Sequence, residues 1–168
     1  MRVLAIDPSL RSTGFAVLER LPGAKPRVLE YGTVPNAAAL KTSSCLVAIH
    51  DRISGLIHRY EPDHAAVEGV IFVQSYKTAI TLGAARGAAL LALAGRGVPI
   101  YEYAPKDAKK GVVGRGSATK DQVGFMVRAL LGLTETPAAD AADALAIGLT
   151  HLQNQDSARM GVKVLKQI

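Results

Sequence analysis

Four acidic residues stand where a folded chain has least reason to put them. Asp7 ends the apolar run Val3-Leu4-Ala5-Ile6, and Glu68 ends a second, Ala65-Ala66-Val67. Asp140 and Asp143 lie three residues apart in the alanine-rich stretch 138–147. Carboxylates are almost never fully buried unless they are paired or bound to a cation. A fold for this chain therefore has to bring two strand ends and one helix face together. Asp and Glu oxygens are hard ligands suited to Mg²⁺ or Mn²⁺, and a pair of such ions serves phosphoryl transfer. At spacing i, i+3, Asp140 and Asp143 share a helix face and can both address one ion.

Each acid taken alone has a plainer reading. Asp7 before Pro8-Ser9 can cap a turn. Glu68 before Gly69 can be a solvated strand end, and Asp140 after Pro137 can be a helix-start acid favoured by the dipole. Asp143, flanked by Ala142, Ala144 and Leu145, resists such a reading. Together the four favour a divalent-cation site.

Charge points to a polyanionic partner. The chain has 168 residues, a net charge of +6 and 49% hydrophobic residues, which fits one globular domain with a basic surface. The charge is unevenly spread. Residues 101–128 carry six basic side chains (Lys106, Lys109, Lys110, Arg115, Lys120, Arg128) against three acids, whereas residues 129–155 carry three acids and no Lys or Arg. A positive segment thus precedes a negative one, so metal and phosphate can meet between them. The single cysteine, Cys45, excludes an intramolecular disulfide and reads as a small core residue. Met1 leads straight into a strand with no secretory pattern. No apolar run reaches the roughly 18 residues of a membrane span. The expected location is cytoplasmic.

Periodicity supplies the elements. Residues 2–7, 13–19 and 27–34 read as three strands joined by short connections, an antiparallel meander. Residues 37–59 have helical spacing, with Leu40, Leu46, Val47, Ile49, Ile53, Leu56 and Ile57 on one stripe. Residues 65–68 form a short buried strand, 75–94 a helix rich in small residues, and 98–101 a last strand. A short helix is predicted over 104–110, a glycine-rich loop over 111–117, and helices over 119–131 and 137–152. His151 lies about 16 Å along that last helix from Asp140, too far to share an ion, and reads as a cap or packing histidine. His50, His58 and His64 show no partner pattern. The order β-β-β-α-β-α-β-α-α predicts an α/β fold: a mixed sheet of three antiparallel strands followed by parallel ones, flanked by helices. We divide it into a domain over 1–155 and a basic C-terminal tail over 156–168, residues 153–168 showing no clear pattern.

These features resemble the RuvC-type Holliday junction resolvases of bacteria. The resemblance runs from Leu4 to His151. It is carried by Ile6-Asp7-Pro8-Ser9 with Thr13-Gly14, Val67-Glu68, Leu82-Gly83-Ala84-Ala85-Arg86-Gly87, Lys109-Lys110-Gly111-Val112-Val113-Gly114-Arg115-Gly116-Ser117-Ala118, and Ala139-Asp140-Ala141-Ala142-Asp143-Ala144-Leu145-Ala146-Ile147. It implies an RNase H-like fold, a homodimer joined through the helix over 75–94, and Mg²⁺-dependent symmetric cutting of a four-way DNA junction in recombination and repair. Products with a 5′-phosphate and a 3′-hydroxyl are implied, as are two ions per subunit and a branch-migration helicase complex as partner. The family's metal-binding acids fall on Asp7, Glu68, Asp140 and Asp143, and its two active-site lysines on Lys109 and Lys120. Such lysines can hold the scissile phosphate and offset its growing charge. Arg115 is placed to touch a neighbouring phosphate. The chain departs from the family where an aromatic wedge usually follows the glutamate. Ile71 stands at that position and Phe72 next to it, still an apolar pair able to unstack bases.

Three other readings compete. An RNase H-like enzyme acting on RNA–DNA hybrids would use the same acids, but the block 109–118 favours a resolvase. Asp7-Pro8-Ser9 with Thr13-Gly14 is similar to the phosphate hairpin of actin-like ATPases, but 168 residues lack the second domain that encloses ATP. A non-catalytic junction-binding module has no need of all four acids.

Overall fold

The structure is a computed structural model and describes residues 1–70, 75–161 and 166–168. Three antiparallel strands open the chain: β1 (Arg2–Asp7), β2 (Ser12–Glu19) and β3 (Arg27–Pro35). Helix α1 (Thr42–Tyr60) leads to β4 (His64–Glu68), α2 (Tyr76–Ala94) to β5 (Ile100–Tyr103). Helices α3 (Pro105–Val113), α4 (Lys120–Leu131) and α5 (Ala139–Arg159) follow. The five strands form one sheet in the order β3-β2-β1-β4-β5. β1 is antiparallel to β2 and parallel to β4, and β5 is parallel to β4. This is the mixed, helix-flanked sheet that the element order predicts.

Strand alternation sorts the core into two layers. Val3, Ala5 and Ala66 face a cluster built with α3, α4 and α5. Leu4, Ile6, Ala65 and Val67 face the other cluster, built with α1 and α2. Carried one residue further, the same alternation puts Asp7 and Glu68 on the α5 side, at the ends of neighbouring strands.

Several elements differ from the sequence expectation. Helix α1 starts at Thr42, not at 37, because the Arg11 guanidinium takes the carbonyls of Ala37 and Leu40 (2.7 and 3.1 Å) and holds that segment in turns. Leu40 and Val47 are exposed and leave the predicted stripe. β5 lies two residues later than predicted, in register with β4 from Ala65↔Ile100 to Glu68↔Tyr103. α3 continues through Gly111 to Val113, and the cap of α4 is Thr119 in a reciprocal pair with Gln122. α5 continues to Arg159, with Asp156 paired to Arg20. Lys166 and Ile168 hydrogen-bond to β5, so the described end of the chain is docked rather than loose. α2 is long and apolar enough to cross a membrane by length and composition, which the run of residues alone did not predict. Its Ala85, Ala89, Ala92 and Leu93 pack into the core and its Arg86 is ion-paired, while Tyr76, Ile80 and Leu91 on its other side are exposed.

Candidate active site

Asp7 is held by the turn that follows it. The Thr13 hydroxyl, fully buried, donates to the Ser9 carbonyl (2.6 Å) and accepts from the Ser9 amide (3.2 Å). This closes the turn after Asp7 and delivers β2 beside it, Asp7 opposite Gly14. Gly14 in turn admits α5. A methyl group there would sit 2.0 Å from the Asp140 carbonyl oxygen, so only glycine lets the first turn of α5 rest on β2.

Asp7, Glu68 and Asp143 line one cavity of about 300 Å³ together with Lys109 and Lys120. The strands bring the first two, α5 the third, α3 and α4 the lysines. Asp140 does not line the cavity, but its charge is felt at Asp7, Lys120 and Asp143. Burial, the repulsion of Glu68 and the nearby Asp143 and Asp140 raise Asp7 well above the usual carboxylate range. Asp7 and Glu68 are hydrogen-bond partners, which raises Asp7 and lowers Glu68. Burial also raises Glu68 and Asp143, and Lys120 and Lys109 offset part of that rise. The Lys120 ammonium lies 3.5 Å from Asp143, which with Asp140 raises its own pKa.

The donor set is all carboxylate oxygen, the chemistry that a hard divalent cation accepts. The observation that supports the fit is the convergence itself: Asp7, Glu68 and Asp143 line one cavity, and with Asp140 nearby they outnumber the two lysines that face them. Among the described residues, no three acid, histidine or cysteine side chains are arranged to hold a metal as they stand; Asp143 is paired to Lys120 instead.

The other expected site residues fall elsewhere. Arg115 is exposed and lines a separate hollow of about 560 Å³ with Gln122 and Phe125. Ile71 and Phe72 lie outside the described residues. Sequence reasoning missed the layer behind the site. His151 is fully buried; its Nδ1 shares a hydrogen bond with the Tyr103 hydroxyl (2.8 Å), while its Nε2 lies 3.0 Å from Nδ1 of His64. Burial, then His64, lowers His151 to about 3, so its imidazole is neutral. Tyr103 is raised to about 12, chiefly by burial. The sequence signal was available only in the pairing of β4 with β5, which sets His64 and Tyr103 near α5.

Known proteins resemble this chain in sequence and in fold. The family model described as crossover junction endodeoxyribonuclease RuvC matches residues 3–151. A crossover junction endodeoxyribonuclease RuvC from Akkermansia muciniphila is 54% identical over 156 residues, 93% of each chain. Another, from Caldicellulosiruptor saccharolyticus, is 39% identical over 94% of this chain and 95% of its own. Among solved structures, T. thermophilus RuvC in complex with Holliday junction substrate superposes with a TM-score of 0.89 at 37% identity, covering 100% of this chain and 99% of that one. Matched along nearly its whole length in sequence and in fold, the chain belongs to the RuvC family of crossover junction endodeoxyribonucleases.

Proposed function

We propose that this protein cuts four-way DNA junctions, hydrolysing one phosphodiester bond in each of two opposed strands. The observation that carries the reading is the cavity in which Asp7, Glu68 and Asp143 meet Lys109 and Lys120, in a chain whose fold matches a RuvC bound to a Holliday junction. Asp7, Glu68, Asp140 and Asp143 would hold divalent cation, Mg²⁺ or in its place Mn²⁺, two ions to a subunit. Bound there, such cations supply an activated water and stabilise the leaving oxygen. Carboxylates must be deprotonated to bind, so cation affinity would rise with pH. Lys120 and Lys109 face the position of the scissile phosphate and balance the charge it gains. Arg115, in its separate hollow, would hold a phosphate farther along the same arm, and Ile71 or Phe72 would supply the wedge. The products carry a 5′-phosphate and a 3′-hydroxyl.

Two cuts call for two sites, and a groove between α1 and α2 supports a homodimer. It is lined by Leu46, Val47, Ala84, Ala88 and Leu91, of which Val47 and Leu91 are exposed. A branch-migration helicase complex is the expected partner and the cytoplasm the expected location.

The test offers the purified protein a synthetic four-way junction, a plain duplex and an RNA–DNA hybrid, each with Mg²⁺ and with EDTA. Symmetric Mg²⁺-dependent nicks on the junction alone are expected. Cutting of the hybrid instead would keep the site and overturn the substrate; tight junction binding without cutting would leave a binding module.

A further inference from the structure

The strand that delivers Glu68 is braced from the far side of the sheet. Glu68 pairs in register with Tyr103, and Val67 with Glu102. Side chains alternate along a strand, so Glu68 and Tyr103 face α5 while Val67 and Glu102 face α2. Glu102 is therefore no candidate ligand. Its carboxylate instead lies against the backbone just past Glu68: a methyl group at Gly69 would come within 3.0 Å of Glu102 Cγ and 3.1 Å of its Cδ. The Gly69 amide donates to the Tyr103 carbonyl (2.8 Å), which closes the strand end on the next residue of β5.

Glu102 is gripped from two directions. Arg86, inside α2, donates to one carboxylate oxygen, and Lys166, near the end of the chain, to the other at 2.8 Å. The Lys166 carbonyl also accepts from the Glu102 amide (3.2 Å), and Gln167 bridges to Tyr101. Arg86 is mostly buried and its Nε has no hydrogen-bond partner. The fold tolerates an unsatisfied donor there, as it does where a charged group is needed in place. Three separate parts of the chain thus converge on one carboxylate beneath the Glu68–Gly69 peptide.

We propose that Glu102, held by Arg86 and Lys166, is a positioning residue for Glu68: it fixes the Glu68–Gly69 backbone from the opposite face of the sheet and so sets where the Glu68 carboxylate stands. The C-terminal segment then has a task in the active site without entering it. The proposal rests on the reading of Glu68 as a cation-holding acid.

Its test measures cation affinity apart from turnover. Free Mn²⁺ is followed by electron paramagnetic resonance in wild type, E68Q, E102A, E102D and K166M, alongside junction affinity in EDTA and single-turnover cleavage in Mg²⁺. E102A is expected to weaken Mn²⁺ binding and slow cleavage by on the order of tenfold, with junction affinity within about twofold of wild type. K166M, at an exposed position, is expected to show a smaller shift of the same kind, and E102D to recover part of the loss. Wild-type Mn²⁺ affinity and cleavage in E102A or, should E102A not fold, in K166M would overturn the proposal. Mn²⁺ binding in E68Q equal to wild type would instead overturn the reading of Glu68 itself.

Discussion

Asp7 and Glu68 are held in proximity at a cost that only a cation, or a proton, relieves. Burial raises both, with Glu68 repelling Asp7 and Asp143 repelling Glu68, so the folded chain binds a proton more tightly there than the unfolded chain does. A raised acid favours the fold at low pH, and that contribution is lost as pH rises from the ordinary carboxylate range through the folded value. The Asp7→Asn variant should therefore be more stable than wild type in EDTA at pH 8 by about 1–2 kcal/mol, some ~3–6 °C in Tm for a chain this long. The advantage should shrink toward pH 4, and cleavage should be absent. Thermal melts at both pH values check it; equal melting at both would contradict the paired-acid picture. His151 has the opposite sign. Its folded pKa is depressed to about 3 from an ordinary 6.5, so its contribution is whole above pH 6.5 and declines as pH falls toward 3. A His151→Phe variant should lose the Tyr103 and His64 hydrogen bonds. It should also melt with a flatter pH dependence between 3 and 6.5, the difference approaching about 1.4 kcal/mol per pH unit.

Helix α5 is the element that completes the site, and its seat on β2 depends on Gly14. A Gly14→Ala substitution places a methyl where the Asp140 carbonyl oxygen lies, so the first turn of α5 must move. The expected cost is about 1–3 kcal/mol in a melt, with cleavage down on the order of a hundredfold because a displacement near 1 Å disorders the reacting geometry. An unchanged rate would show that α5 has slack. Much at this scale was legible in the sequence. The apolar run of β1, the meander and the period of α5 are local properties. What escaped notice depends on distant partners. The start of α1 is set by Arg11, which lies 26 residues before Ala37. The position of β5 is set by β4. α3 continues through Gly111, a poor helix former, where it packs on α5: the Thr150 hydroxyl donates to the Ala108 carbonyl (3.3 Å), and a methyl on Gly111 would overlap that hydroxyl at 2.2 Å. The same divide runs through the site. The acids betrayed themselves by their apolar neighbours, whereas Glu102 sits in the sequence Tyr101-Glu102-Tyr103 like any half-exposed strand residue, and only the fold puts it under Gly69.

Across the whole molecule, the apolar groove of α1 and α2 and the basic surface of α3 and α4 make separate demands. If the groove joins two copies, light scattering should return twice the chain mass, and Leu91→Glu should return one chain mass with folding intact. On a junction, that monomer should nick single strands without the coordinated second cut. The basic surface should make junction affinity fall steeply with salt, as phosphate contacts release counterions, and the slope should shrink by about one in Arg115→Ala. A slope unmoved by that change would remove Arg115 from the DNA path.

The acids that meet in the cavity are contributed by residues 7, 68 and 143, which has a consequence for the order of events in folding. A chain emerging from synthesis folds its leading part first. The first two strands and β4 can pair while α5 is still unmade, yet no fragment short of α5 holds the full set of carboxylates. Closing contacts of such long sequence separation come late and slowly. If these carboxylates hold the cation, as proposed, a half-folded copy cannot, and the ability to break DNA appears only with the docking of the last helix, when the rest of the molecule is already in place to choose where the break falls.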